Sequence, residues 1–261
     1  MESDAEVLEI VVDPARPTGR TLLADGVEQS YVDVADARHL HFEYVRRIAT
    51  VIDLSAPAGH PLTALHLGGG ALTLPRWLAA TRPGSTQRVV ERHPGVVDLV
   101  RRKLPPVPPE VVVTLGDARD AVTGTPDRTY DLVVGDVYRA ARMPGHVAAV
   151  EFAAEAARVL RPDGVYLVNL ADLPPLAHTR AQVATLRAVF VDVCLITDRR
   201  MLRGRRYGNV VLAGAARAGR LPVRRLAARV AGDPVPGTVL HGAALDAFAA
   251  DAWPVTDADV D

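Results

Sequence analysis

The chain has 261 residues (27.9 kDa), of which 49% are hydrophobic, and its 30 basic and 31 acidic residues nearly cancel. It can bury a core of one large or two small domains, so disorder is excluded, and no global charge points to nucleic acid. Cys194 is the only cysteine, which excludes an intramolecular disulfide and any thiolate-cluster metal site. No stretch approaches the roughly 18 uninterrupted apolar residues of a membrane helix, and the first residues are acidic where a signal peptide is basic, so the expectation is a cytoplasmic protein.

Residues 7–34 offer short alternating runs broken by Pro14, Pro17, Gly19 and the Asp25-Gly26 pair, the pattern of small antiparallel hairpins. Over 38–54 the period changes, and Leu40, Tyr44, Ile48 and Val51 recur at helical spacing. From there apolar strands alternate with amphipathic helices. Strands are expected at 62–67, 87–91, 111–115, 130–136, 164–170, 188–196 and 207–214, with helices near 71–81, 94–103, 146–160 and 178–187. The pattern is that of a doubly wound, seven-stranded α/β sheet carrying a small N-terminal β-hairpin lobe. Residues 1–55 form the lobe and its connecting helix, 56–261 the larger domain, and the tail beyond about 221 is a helix plus an irregular segment.

In such sheets ligands bind beyond the carboxyl ends of the strands, so polar residues and glycines directly after strands are the first candidates for chemistry. Gly68, Gly69 and Gly70 follow the first strand of the domain and open a helix, where backbone amides can approach a ligand closely. Their spacing matches neither the phosphate loop nor the dinucleotide fingerprint. Glu91 ends the next strand, where an acid accepts bonds from two ribose hydroxyls, and Asp117 with Ala118 follows the third, placed to receive an adenine amino group. A nucleoside without phosphates fits this set, and an adenosyl sulfonium compound is such a ligand. Asp136 ends the fourth strand, beside the place of the sulfonium. Transfer of an alkyl group from sulfur to an amine needs alignment and a neutral nucleophile, and a carboxylate that orients the amine and accepts its proton serves both needs. Tyr138 can donate a hydrogen bond or wall the site.

The order Asp25-Gly26-x-x-Gln29, Phe42-Glu43, Leu67-Gly-Gly-Gly70, Val90-Glu91-x-x-Pro94, Gly116-Asp117-Ala118, Tyr130-Asp-Leu-Val-Val-Gly-Asp136 and Leu160-x-Pro-x-Gly164 resembles the spermidine synthase family of polyamine aminopropyltransferases. The resemblance spans residues 20–214, and Thr256-Asp257 looks like a tail motif of its bacterial members. It implies a Rossmann-like, methyltransferase-type sheet binding decarboxylated S-adenosylmethionine or S-adenosylmethionine as co-substrate without a metal, an amine acceptor, and a homodimer. It implies that Gln29 touches the donor, Glu91 its ribose and Asp117 its adenine. Asp136 would face the attacking amine, with Glu43 and Arg139 on the acceptor side.

The departures from that pattern concern charge. Ala71 stands where the family usually has an acid that binds the donor's free amine, and Arg139 stands where a second acid normally follows the catalytic one. Both remove negative charge from places meant for ammonium groups, which weakens putrescine binding. Arg139 with Arg142 and His146 could favour an acceptor bearing a carboxylate, and Ala71 no longer excludes a methyl donor. A methyltransferase on the same scaffold and a noncatalytic nucleoside-binding or partner protein are therefore the alternatives. His39, His41 and Glu43 alternate as zinc ligands on a strand would, but they enter a helix, where residues two apart do not share a face. Ten arginines and no acid lie between Arg199 and Arg229, yet a strand at Tyr207-Gly-Asn-Val-Val-Leu212 splits them over several faces, which disfavours a nucleic-acid stripe, and without a long apolar stretch no membrane partner is expected.

Overall fold

A computed structural model describes residues 7–138 and 142–260. The lobe is a three-stranded antiparallel sheet of β1 (Leu8–Asp13), β2 (Arg16–Ala24) and β3 (Val27–Asp33). Asp25 and Gly26 join the last two strands with φ of 51° and 76°, the left-handed pair that suits a two-residue hairpin. Helix α1 (Glu43–Ser55) begins five residues later than the periodicity over 38–54 predicts. The guanidinium of Arg46 takes the carbonyls of Leu40 and His41, and the His41 ring stacks on Tyr31 at 4.4 Å, so this stretch is tied to the lobe instead of continuing the helix.

Strand and helix then alternate: β4 (Thr63–Leu67), α2 (Thr73–Thr81), β5 (Thr86–Glu91), α3 (Pro94–Lys103), β6 (Val111–Leu115), α4 (Ala118–Thr123) and β7 (Tyr130–Gly135). Next come α5 (Gly145–Ala148), α6 (Val150–Val159), β8 (Leu160–Asp172), α7 (Ala177–Val189), β9 (Asp192–Asp198), α8 (Arg199–Leu202) and β10 (Gly208–Ala215). The chain closes with α9 (Val223–Ala231), β11 (Gly237–His241) and α10 (Ala243–Phe248). The large sheet has eight strands in the order β11-β9-β10-β8-β7-β4-β5-β6. Its half from β8 to β6 is parallel, and β10 and β11 run antiparallel to their neighbours.

The eighth strand corrects the expected seven. β11 lies in the tail read as irregular because it has five residues and follows Pro234 and Pro236. It forms because β9, buried along its whole length, offers an edge whose amides and carbonyls need partners. β9 itself starts at Asp192, not 188, because α7 runs on through Val189 and the Phe190 amide still bonds the Leu186 carbonyl at 2.7 Å. An apolar run of this length does not show where helix yields to strand.

Apolar side chains of α1, α2 and α9 fill one face of the sheet, including Ile48, Val51, Trp77, Leu78 and Leu226. Those of α4, α6 and α7 fill the other, including Val122, Phe152, Val183 and Leu186. Central strands covered on both faces read as continuous apolar runs. The lobe packs its Leu22 and Val32 with Leu99 and Val100 of α3 in a third cluster. Arg206 and Arg217 sit beyond opposite ends of β10, so the arginine-rich stretch is divided between two ends of the molecule.

Candidate active site

The chain leaves β4 toward β5 and β6 on one side, then returns to place β7 on the other, which makes the carboxyl ends of β4 and β7 the point where strand order reverses. The registers Leu67 with Val90, Leu67 with Gly135 and Gly135 with Val168 bring the next residue of each strand into one row. That row is Glu91, Gly68, Asp136 and Asn169. Backbone bonds carry it past the strands: the Gly68 amide donates to the Val90 carbonyl at 2.9 Å, Asp136 to Leu67 at 2.8 Å and Gly116 to Glu91 at 3.0 Å.

Gly68 has a φ of +90°, and a Cβ there would stand 2.1 Å from the Asp136 carbonyl oxygen, so only glycine permits the two loops to touch. The amides of Gly69 and Gly70 donate to one oxygen of Glu91 at 2.8 and 3.3 Å, and the His93 amide donates to the other at 2.9 Å. Glu91 is thereby aimed at the glycine turn from the neighbouring strand. Ala71 is 1% exposed and packs into the cluster shared with the lobe. Asp117 caps α4 by accepting from the Arg119 amide at 2.8 Å, its other oxygen lies 3.1 Å from His146 Nε2, and Ala118 begins the helix buried. Desolvation raises the Asp117 carboxyl, but the Arg119 amide and the His146 ring outweigh it and hold the carboxyl below its ordinary range. His146 thus sits on the acid of the third strand. Arg119 reaches Asp257 at 2.6 Å, which docks the tail motif against the same helix.

Asp136 accepts from Asn169 Nδ2 at 2.8 Å and from the Tyr44 hydroxyl. Desolvation pushes its carboxyl above the ordinary aspartate range, the charge of Glu91 adds to the rise, and the two hydrogen bonds only partly oppose it. Burial first, then the charge of Asp136, raise Tyr44 and Tyr138, so both hydroxyls stay protonated and act as donors. The Tyr138 hydroxyl donates to the Asn169 carbonyl at 3.0 Å, and Asn209 Nδ2 holds the Asn169 side-chain oxygen at 3.1 Å. The result is a carboxylate of raised basicity, fixed in orientation by its neighbours, at the rim where the strand order reverses.

The remaining expected residues stand outside the strand-end row. Gln29 is exposed on β3 with its amide 3.3 Å from the Val27 carbonyl, while its neighbour Ser30 is the lobe residue that meets Gly70 and bonds Thr73 Oγ1 at 2.9 Å. Glu43 holds Arg47 at 3.0 Å and Arg206 at 2.7 Å. Arg139 lies outside the described residues, and Arg142 is exposed. Among the described residues no group of histidine, cysteine and acidic side chains is arranged to hold a metal ion. A cavity of about 720 Å³ lies at the opposite, amino end of the sheet, and the ion pairs Arg161 with Asp131 and Arg217 with Asp163 line it. It is separate from the strand-end row. No helix is long and apolar enough to cross a membrane among the described residues.

A probable spermidine synthase from Corynebacterium glutamicum ATCC 13032 superposes with a TM-score of 0.87 at 29% identity, covering 98% of this chain and 95% of its own. The fold is that of the spermidine synthases. A spermidine synthase solved with the transition-state analogue AdoDATO aligns with a TM-score of 0.65 at 16% identity, covering 90% of this chain and 79% of that one. Human methyltransferase-like protein 13, solved with SAH, aligns at 0.61 and 19%, covering 83% and 96%, so the spermidine synthase fold here shares its large sheet with the methyltransferases. No family model and no curated protein matches the sequence.

Tyr44 is the residue that sequence reasoning missed. Its ring obeys the helical period that marks the packed face of α1, and that period conceals a hydroxyl reaching across to Asp136. A tyrosine on the apolar face of a helix aimed at a strand end is the signal that could have found it.

Proposed function

We propose that the protein transfers an aminopropyl group from decarboxylated S-adenosylmethionine to an amine. The observation that carries this reading is the strand-end row: Glu91 and the glycine turn stand beside Asp136, the acid whose basicity is raised. Glu91 and the turn take the ribose, Asp117 with Ala118 takes the adenine, and Ser30 brings the lobe against the glycine turn. The amine nitrogen attacks the carbon next to sulfur, the bonding pair leaves with sulfur as a neutral thioether, and the proton of the amine passes to Asp136. Tyr44 and Asn169 hold that carboxylate in place, and Tyr138 acts as donor and wall. The near full-length likeness to the Corynebacterium protein supports this reading.

Methyl transfer from S-adenosylmethionine is the second reading, favoured by one observation: the side chain after the glycine turn, Ala71, is apolar and buried, so it sets no charge against a donor carboxylate. Calorimetry with both donors separates the two. Tighter binding of the decarboxylated donor, with methylthioadenosine released in the presence of an amine, is the expected result. A strong preference for the carboxylated donor with methylated product would overturn it.

A further inference from the structure

The amine side of the row is poor in free negative charge. Three acids other than Asp136 stand there, and each is engaged by this chain. Asp172, at the end of β8, accepts from the Leu173 amide at 2.8 Å and from the amide and hydroxyl of Thr179 at 2.8 and 2.7 Å. Asp198, at the end of β9, accepts from the Arg200 amide at 2.8 Å and pairs with the guanidinium groups of Arg200 and Arg206 at 2.8 and 3.2 Å. Glu43 gives one oxygen to Arg47 and the other to Arg206. Arg47 is 1% exposed, a buried guanidinium requires an anion, and Glu43 supplies the direct pair, with Asp198 and Asp233 acting on it as well.

Glu43 and Asp198 are thus both held by guanidinium groups, those of Arg47, Arg200 and Arg206, so neither is left free for a ligand. The cluster belongs to the site. Tyr44 follows Glu43 and bonds Asp136, and Asn209, three residues after Arg206, holds the Asn169 that holds Asp136. Resting on the alkyl-transfer reading above, we infer that the acceptor is an amine with a single cationic centre, its far end neutral or carboxylate, and that Arg206 sets this preference by sequestering Glu43. A diamine would bring a second ammonium to a rim whose acids are already taken, and like charge placed there costs affinity.

The test uses the purified protein, the decarboxylated donor and three acceptors with four-carbon chains: 1-aminobutane, 4-aminobutanoate and 1,4-diaminobutane. Alkylated amine is read by mass spectrometry, and binding of each amine in the presence of methylthioadenosine is read by calorimetry. The diamine is expected to fall about tenfold or more below the better of the other two in kcat/KM and in affinity. Arg206→Ala frees one oxygen of Glu43 and should move both ratios toward the diamine by about tenfold. Arg206→Gln, which keeps the packed stem, should do the same and serves if the alanine variant folds poorly. A wild-type protein that prefers the diamine, or variants that leave the ratios unchanged, overturn the acceptor inference and leave the alkyl-transfer reading standing. Donor binding without alkylation of any of the three amines overturns both.

Discussion

The two sides of the strand-end cleft are built by different means. On the side of β4, β5 and β6, the acids are held largely by backbone: Glu91 by the amides of Gly69, Gly70 and His93, and Asp117 by that of Arg119. On the side of β7 to β10 and α1, side chains take the larger part: Asp136 is held by Asn169 and Tyr44 and Glu43 by Arg47 and Arg206, while Asp172 and Asp198 add backbone amides to side-chain partners. A backbone-held acid keeps its place while neighbouring side chains vary. A side-chain-held acid changes its availability with one substitution, so the second side is where specificity can drift while the first continues to bind the same kind of ligand.

The sharpest way to break this contrast is Asp136→Asn. It should cost about 10²–10⁴ in transfer rate with donor affinity kept, since proton acceptance is lost and the nucleoside contacts are not; equal losses in rate and donor binding would erase the division. Gly68→Ala strikes the junction of the two sides. Its Cβ would meet the Asp136 carbonyl at 2.1 Å in a left-handed conformation, so about 3 kcal/mol of stability should go, visible as a lower denaturant midpoint at unchanged slope.

Glu91→Gln should weaken donor binding by about ten- to a hundredfold in calorimetry, because charge-assisted bonds are the stronger kind, while KM for the amine stays within about twofold. Tyr44→Phe is the mildest. The rate should fall about fivefold, and its acid limb should move. Activity is lost as pH falls through the raised Asp136 value and protonates the base. Removing a bond that favours the charged form raises that value further, so the limb shifts to higher pH. A pH profile superimposable on the wild type would show that Tyr44 only packs.

The same contrast explains what was legible beforehand. The hairpin turn at Asp25-Gly26, the glycines after β4 and the acids ending β5 and β7 were readable because turn chemistry and two-residue periodicity are local. β11 was not, since its five residues follow two prolines and it forms only when β9 presents an edge. The start of α1 was misjudged because Arg46 captures the carbonyls of Leu40 and His41, a competition that periodicity does not register.

From the order of its residues alone this protein is committed to a layered α/β body with glycines and acids at successive strand tips, because each tip is specified within a few positions and parallel register aligns them. Folding decided what those acids are free to do. Arg206 meets Glu43 across 163 positions, and Tyr44 meets Asp136 only because α1 packs across β8 and β10. A carboxylate's partners depend on which surfaces pack together in space, and its charge is available to a ligand only where packing leaves it unclaimed.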